Sequence, residues 1–135
     1  MNQKRTMKLT KAQETVRLGN RVLQYRGLRV SKLLYKTELT DEGTHWLKLD
    51  ICGHAIHKDI DENGKVSLYT FMIPFVACED GGIVSYTNVD TWDWISQNNY
   101  RMEEIDLTIN TTIDNELIAQ QTNPIIIELE FSNAV

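Results

Sequence analysis

The strictest alternation of apolar and polar positions lies in the last third of the chain. Ile105, Leu107, Ile109, Thr111 and Ile113 take every second place, with Asp106, Thr108, Asn110, Thr112 and Asp114 between them. Successive side chains of an extended chain point to opposite faces, so this pattern predicts a half-buried antiparallel strand. Asn123-Pro124 breaks the chain, and Ile125, Ile127, Leu129 and Phe131 then alternate with Glu128 and Glu130 as a final strand. Arg29 to Leu39 reads as a strand with Val30, Leu33, Tyr35 and Leu39 as its apolar bulk, and Thr40 to Thr44 as the turn after it. Trp46 to Ile60 follows, apolar on both parities, which suggests a central strand covered on both sides.

Asn63-Gly64 favours a two-residue type I′ turn, because both residues tolerate positive φ. In that register Glu62 faces Lys65, Ile56 faces Phe71, His54 faces Ile73 and Cys52 faces Phe75. One face then gathers Cys52, His54, Ile56, Ile60, Tyr69, Phe71, Ile73 and Phe75. Pro74 cannot donate to a ladder and marks an edge or a bulge. Asp80-Gly81-Gly82 is a second turn, and Ile83 to Thr87 a short strand.

Two helices are expected beside these strands. Thr10 is a candidate cap for a helix to about Gln24, with Leu9, Ala12, Val16 and Leu23 near one face. Gly19-Asn20 within it would alternatively serve as a hairpin turn. Asp90 is a candidate cap for a short helix from Thr91 to about Asn98, anchored by Trp92, Ile95 and Trp94. The expected fold is therefore mainly β: an antiparallel sandwich or half-open barrel with an N-terminal helix and one short helix near Trp92.

The chain has 135 residues, the size of one domain, and shows no internal repeat or dividing linker. No apolar run approaches the ~20 residues of a membrane-spanning helix. The polar, basic start carries no apolar core of a secretory signal, so an intracellular or virion-associated setting is expected and Cys52 and Cys78 are expected as buried thiols.

Charge changes the picture most. Residues 1–36 carry ten basic side chains against the single acid Glu14, a surplus of nine. Residues 37–135 carry four bases and eighteen acids, a net −14, and the whole chain is −5. The sequence thus reads as a basic segment, 1–36, continuous with an acidic β-rich body, 37–135, in one domain. The basic segment could pack on its own body, meet the body of a neighbouring copy, or bind phosphate in nucleic acid.

Catalytic and metal chemistry finds little footing. Asp59, Asp61, Asn63 and Gly64 match the start of a calcium loop, but Thr70 stands where a bidentate Glu is required. Cys52, His54 and His57 do not complete a tetrahedral site, since His57 falls on the opposite strand face. Phosphate-binding glycine loops, GxSxG and HExxH are absent. Trp92 and Trp94 suit a core anchor or an interface better than stacking on a sugar or base.

No catalytic residue, metal or cofactor is therefore expected. The expectation is a non-catalytic assembly or interaction protein, such as a structural subunit of a virus or phage, associating as a homo-oligomer or with a protein partner. Its contact residues would be Arg17, Arg21, Arg26, Arg29, Lys32, Trp92 and Trp94. The alternatives are a nucleic-acid-binding module using the same segment, or a small acidic inhibitor of the immunity type that masks a basic partner.

Overall fold

A computed structural model describes residues 2–23, 27–54, 65–77, 82–92, 94–95, 102–118 and 122–132. Within these the regular elements are all strands: β1 (Asn2–Leu9), β2 (Gln13–Leu23), β3 (Gly27–Thr37), β4 (Gly43–His54), β5 (Lys65–Ala77), β6 (Gly82–Thr87), β7 (Trp94–Ile95), β8 (Met102–Ile113), β9 (Glu116–Leu117) and β10 (Ile125–Ser132). They form two antiparallel sheets. Sheet A runs β1-β10-β3-β6, with β7 also on β3, and sheet B runs β2-β8-β4-β5, with β9 also on β8.

Period-two alternation decides which side of each sheet turns inward. In sheet A, Leu33 and Tyr35 of β3 and Ile125, Ile127, Leu129 and Phe131 of β10 are buried. Leu47, Leu49 and Ile51 of β4, Phe71 and Phe75 of β5, and Leu107 and Ile109 of β8 answer them from sheet B. All belong to one core cluster. Aromatic edges join the layers: Tyr35 meets Phe75 with ring centroids 6.3 Å apart, and Phe71 meets Tyr86 at 4.9 Å.

The expected N-terminal helix is not there. Residues 13–23 are extended as β2 and pair with β8, from Gln13 opposite Asn110 to Leu23 opposite Met102. The helical spacing of Leu9, Ala12, Val16 and Leu23 yields to the ladder that β8 offers. Gly19-Asn20 is not a hairpin turn either; the register shifts on both sides of Asn20, so the dipeptide sits in an irregular stretch of strand. Thr10 does bond Glu14, through its N–H at 3.4 Å and its hydroxyl at 3.3 Å to Oε1. That contact closes the corner from β1 in sheet A to β2 in sheet B.

The short helix is likewise replaced where the structure is described. Trp94 and Ile95 are β7, opposite Leu28 and Gly27, while Asp93 and residues 96–100 lie outside the described residues. Asn88, not Asp90, organises the approach: its Oδ1 accepts from the N–H groups of Asp90 and Thr91.

β4 and β5 pair antiparallel, but in a different register from the one a turn at Asn63-Gly64 requires. Cys52 faces Ser67 and His54 faces Lys65, so residues 55–64, outside the described residues, connect the strands. Phe71 and Phe75 still point into the core with Ile73 and Tyr69 beside it, because the alternation within β5 does not depend on register. β4 is central, between β8 and β5, yet one face is open: Trp46 is 47% exposed. Pro74 sits on the edge strand β5, where its missing N–H costs no ladder bond.

Candidate functional site

Among the described residues the basic segment is built into both sheets. Its residues build β1 and β2, which are edge strands of the two sheets, and most of β3. Pairing then sets its lysines in rows on the outer face of sheet A. Lys8, Ile126, Leu34 and Ser85 form one row, and Thr6, Glu128, Lys32 and Thr87 the next. Lys36 lies beside Ile83, and Lys4 opposite Glu130.

The inward parity of these strands is committed to the core, so the outward parity is left to solvent. Leu34 is 49% exposed and Ile83 74% exposed, with half-buried Ile126 completing an aliphatic strip. Two shallow depressions share Leu34 and Ile126. One, about 300 Å³, extends over Lys32, Thr6 and Thr87. The other, about 250 Å³, extends over Lys36, Ile83, Asn123 and Pro124.

Lys4, Lys8, Lys32 and Lys36 are all exposed around this strip, and none of them takes part in an ion pair among the described residues. The acid between them, Glu128, accepts a 2.7 Å hydrogen bond from the Ser31 hydroxyl. Along its strands the face therefore carries four cations against one carboxylate, apart from the Arg29–Glu130 pair that cancels itself, and exposed Glu38, accepting from the Thr122 and Asn123 N–H groups, borders its Lys36 end.

That pair closes the far end of the face. Arg29 Nη2 and Nε lie 2.8 and 3.1 Å from Glu130 Oε2, and Nη1 donates to the Thr91 carbonyl at 3.2 Å. The guanidinium stacks on Trp92, 4.2 Å from the ring centroid. With Arg29 only 7% and Glu130 4% exposed, both are withdrawn from solvent.

The residues expected at an interface are thus divided. Lys32 is on the rim. Arg29 is buried and paired with Glu130, and half-buried Trp92 stacks on its guanidinium. Arg17 and Arg21 lie in β2, Arg17 opposite Asp106, and Trp94 lies in β7, but their side chains fall outside the described part; Arg26 does so entirely. Sequence reasoning missed Lys4, Lys8, Leu34, Lys36, Ile83 and Ile126. One signal was available: Lys32, Leu34 and Lys36 share the parity opposite to Leu33 and Tyr35.

At one end of sheet B a second polar cluster forms. His45 Nδ1 is 2.6 Å from Asp114 Oδ2 and Nε2 is 2.9 Å from the Asp41 carbonyl oxygen. Both ring nitrogens face acceptors, so both carry protons in this arrangement. The Asp114 hydrogen bond, then the Asp41 carbonyl, hold the His45 pKa above its ordinary value. His45 in turn, with the Trp46 N–H donating to Oδ1 at 2.9 Å, holds Asp114 below its own. Asp114 and Asn115 have φ of 53° and 66° and form the two-residue turn from β8 to β9. As placed, His45 has no ring nitrogen left to act as a base.

Among the described residues no group of three or more His, Cys, Asp or Glu side chains is placed to hold a metal ion. Asp59, Asp61, Asn63 and Gly64, and likewise His57 and Cys78, lie outside the described residues; Cys52 is half-buried in β4. No helix is long and apolar enough to cross a membrane among the described residues. Neither known protein-family models nor curated protein sequences match this chain.

Proposed function

We propose that this protein is a non-catalytic assembly subunit whose lysine-rimmed outer face of sheet A docks on an acidic surface of another copy. The observation that carries the reading is the aliphatic strip of exposed Leu34 and Ile83 and half-buried Ile126, ringed by Lys4, Lys8, Lys32 and Lys36 without an ion pair among the described residues. An apolar centre with a polar rim is the anatomy of a protein interface. Two such faces meeting each other would set lysine against lysine, so the partner surface is acidic. The body of the same chain supplies one, with eighteen acids beyond residue 36. Subunits of virus or phage structures are one setting for such a module.

A nucleic-acid partner is less well supported. Single strands are gripped by stacking on aromatic side chains or Arg, and this strip is aliphatic. The acidic remainder of the chain also repels a polyanion within about 8 Å at physiological salt.

Light-scattering mass across a salt series tests the reading. The wild type should exceed the monomer mass at low salt and fall towards it as salt rises. Lys32→Glu/Lys36→Glu should stay monomeric throughout. A monomeric wild type at every concentration, or a double variant that assembles normally, overturns the reading.

A further inference from the structure

We infer that the surface this face docks on is the His45 end of sheet B of the next copy, so that assembly is head-to-tail and open-ended. The inference rests on the proposed role of the sheet A face and names the partner surface. Self-complementarity of sheet A is excluded by its four lysines, and what is required is an acidic patch with exposed apolar side chains of its own.

The His45 end supplies both. His45 ties the β3–β4 turn, with exposed Asp41 and Glu42, to the β8–β9 turn, with exposed Asp114. Against these three acids stand His45, which is paired to Asp114, and half-buried Lys48. Trp46 is 47% and Leu117 70% exposed beside them. A depression of about 320 Å³ bounded by Trp46, Lys48, Met72, Asp114 and Asn115 offers room for an aliphatic side chain such as Ile83. Cations and aliphatics on one surface thus meet acids and apolar side chains on the other.

The two surfaces belong to different layers of a two-layer protein. Leu34 and Ile83 point outward from sheet A, and Trp46 and Leu117 outward from sheet B, with the shared core between. Joining them between copies is a heterologous contact, which leaves one free surface of each kind at the ends of every oligomer. Addition continues unless the rotation between copies closes a ring.

Two variants block one surface each: Leu34→Asp/Ile83→Asp on sheet A and Trp46→Asp/Leu117→Asp on sheet B. All four positions are exposed, and each blocked surface carries two aspartates in place of its apolar side chains, which a contact between the two blocked surfaces would have to bury unpaired. Sedimentation velocity should show wild-type mass rising past the dimer with concentration, and each variant alone as monomer. An equimolar mixture should give a species of twice the chain mass and nothing larger, which also proves that both variants fold. If the sheet A variant is monomeric but the sheet B variant assembles like wild type, the sheet A reading stands and the head-to-tail inference falls. Wild type that stops at a dimer, or a mixture that stays monomeric, also overturns it.

Discussion

Arg29 and Glu130 face each other across β3 and β10 with Nη2 and Oε2 2.8 Å apart, both almost wholly withdrawn from water. The pair explains why Arg29, a cation of the basic segment, is held within its own chain. Removing either member takes from the other its opposite charge in a buried site, so Arg29→Ala or Glu130→Ala should each cost about 3–5 kcal/mol in urea unfolding. Arg29→Lys should recover little, because a lysine cannot reach Glu130 and the Thr91 carbonyl together while stacking on Trp92. The double variant Arg29→Met/Glu130→Leu should cost far less than the two single losses added. Single variants within about 0.5 kcal/mol of wild type, the range of ordinary surface changes, would show that the pair contributes nothing.

Thr111 presents a different imbalance. It is fully buried on the core parity of β8, opposite Leu49, and its hydroxyl has no hydrogen-bond partner among the described residues. Thr111→Val keeps the shape and removes the stranded hydroxyl. Stability should rise by about 1–2 kcal/mol, read as a higher urea midpoint at unchanged slope. A loss of stability would mean that the hydroxyl is satisfied after all.

What could be read from the chain and what could not divides along range. The alternation of Ile105 to Ile113 is a local property, and β8 follows it. So do β3 and β10. β2 misleads because the local spacing of Val16 and Leu23 suits a helix as well as a strand, and the ladder that decides between them lies about ninety residues away, as with Val16 opposite Leu107. The β4–β5 register fails for a related reason: a short turn at Asn63-Gly64 is favoured locally, while the pairing in the fold sets Cys52 against Ser67. The lysine-rimmed face was half legible. Lys32, Leu34 and Lys36 announce an outward parity, but Lys8 and Ile126 join them through pairing between distant strands.

Protonation of His45 should make stability depend on pH in a defined direction. Its pKa in the folded protein lies above the ordinary 6.5, so its contribution is complete below 6.5 and is lost as pH rises through the raised value. Asp114 is displaced below its ordinary 3.8, so its contribution is complete above 3.8 and is lost as pH falls through the lowered value. Both are present together between 3.8 and 6.5. The gap in melting temperature between wild type and His45→Gln should be widest in that window and narrow as the solution becomes alkaline. A gap independent of pH would contradict the charged pair.

Trace acetylation of lysines, read by mass spectrometry, tests the central claim most directly. As protein concentration rises at low salt, Lys8, Lys32 and Lys36 should lose reactivity, and high salt should restore it. Reactivity of all three that stays constant from dilute to concentrated protein would contradict docking through the outer face of sheet A.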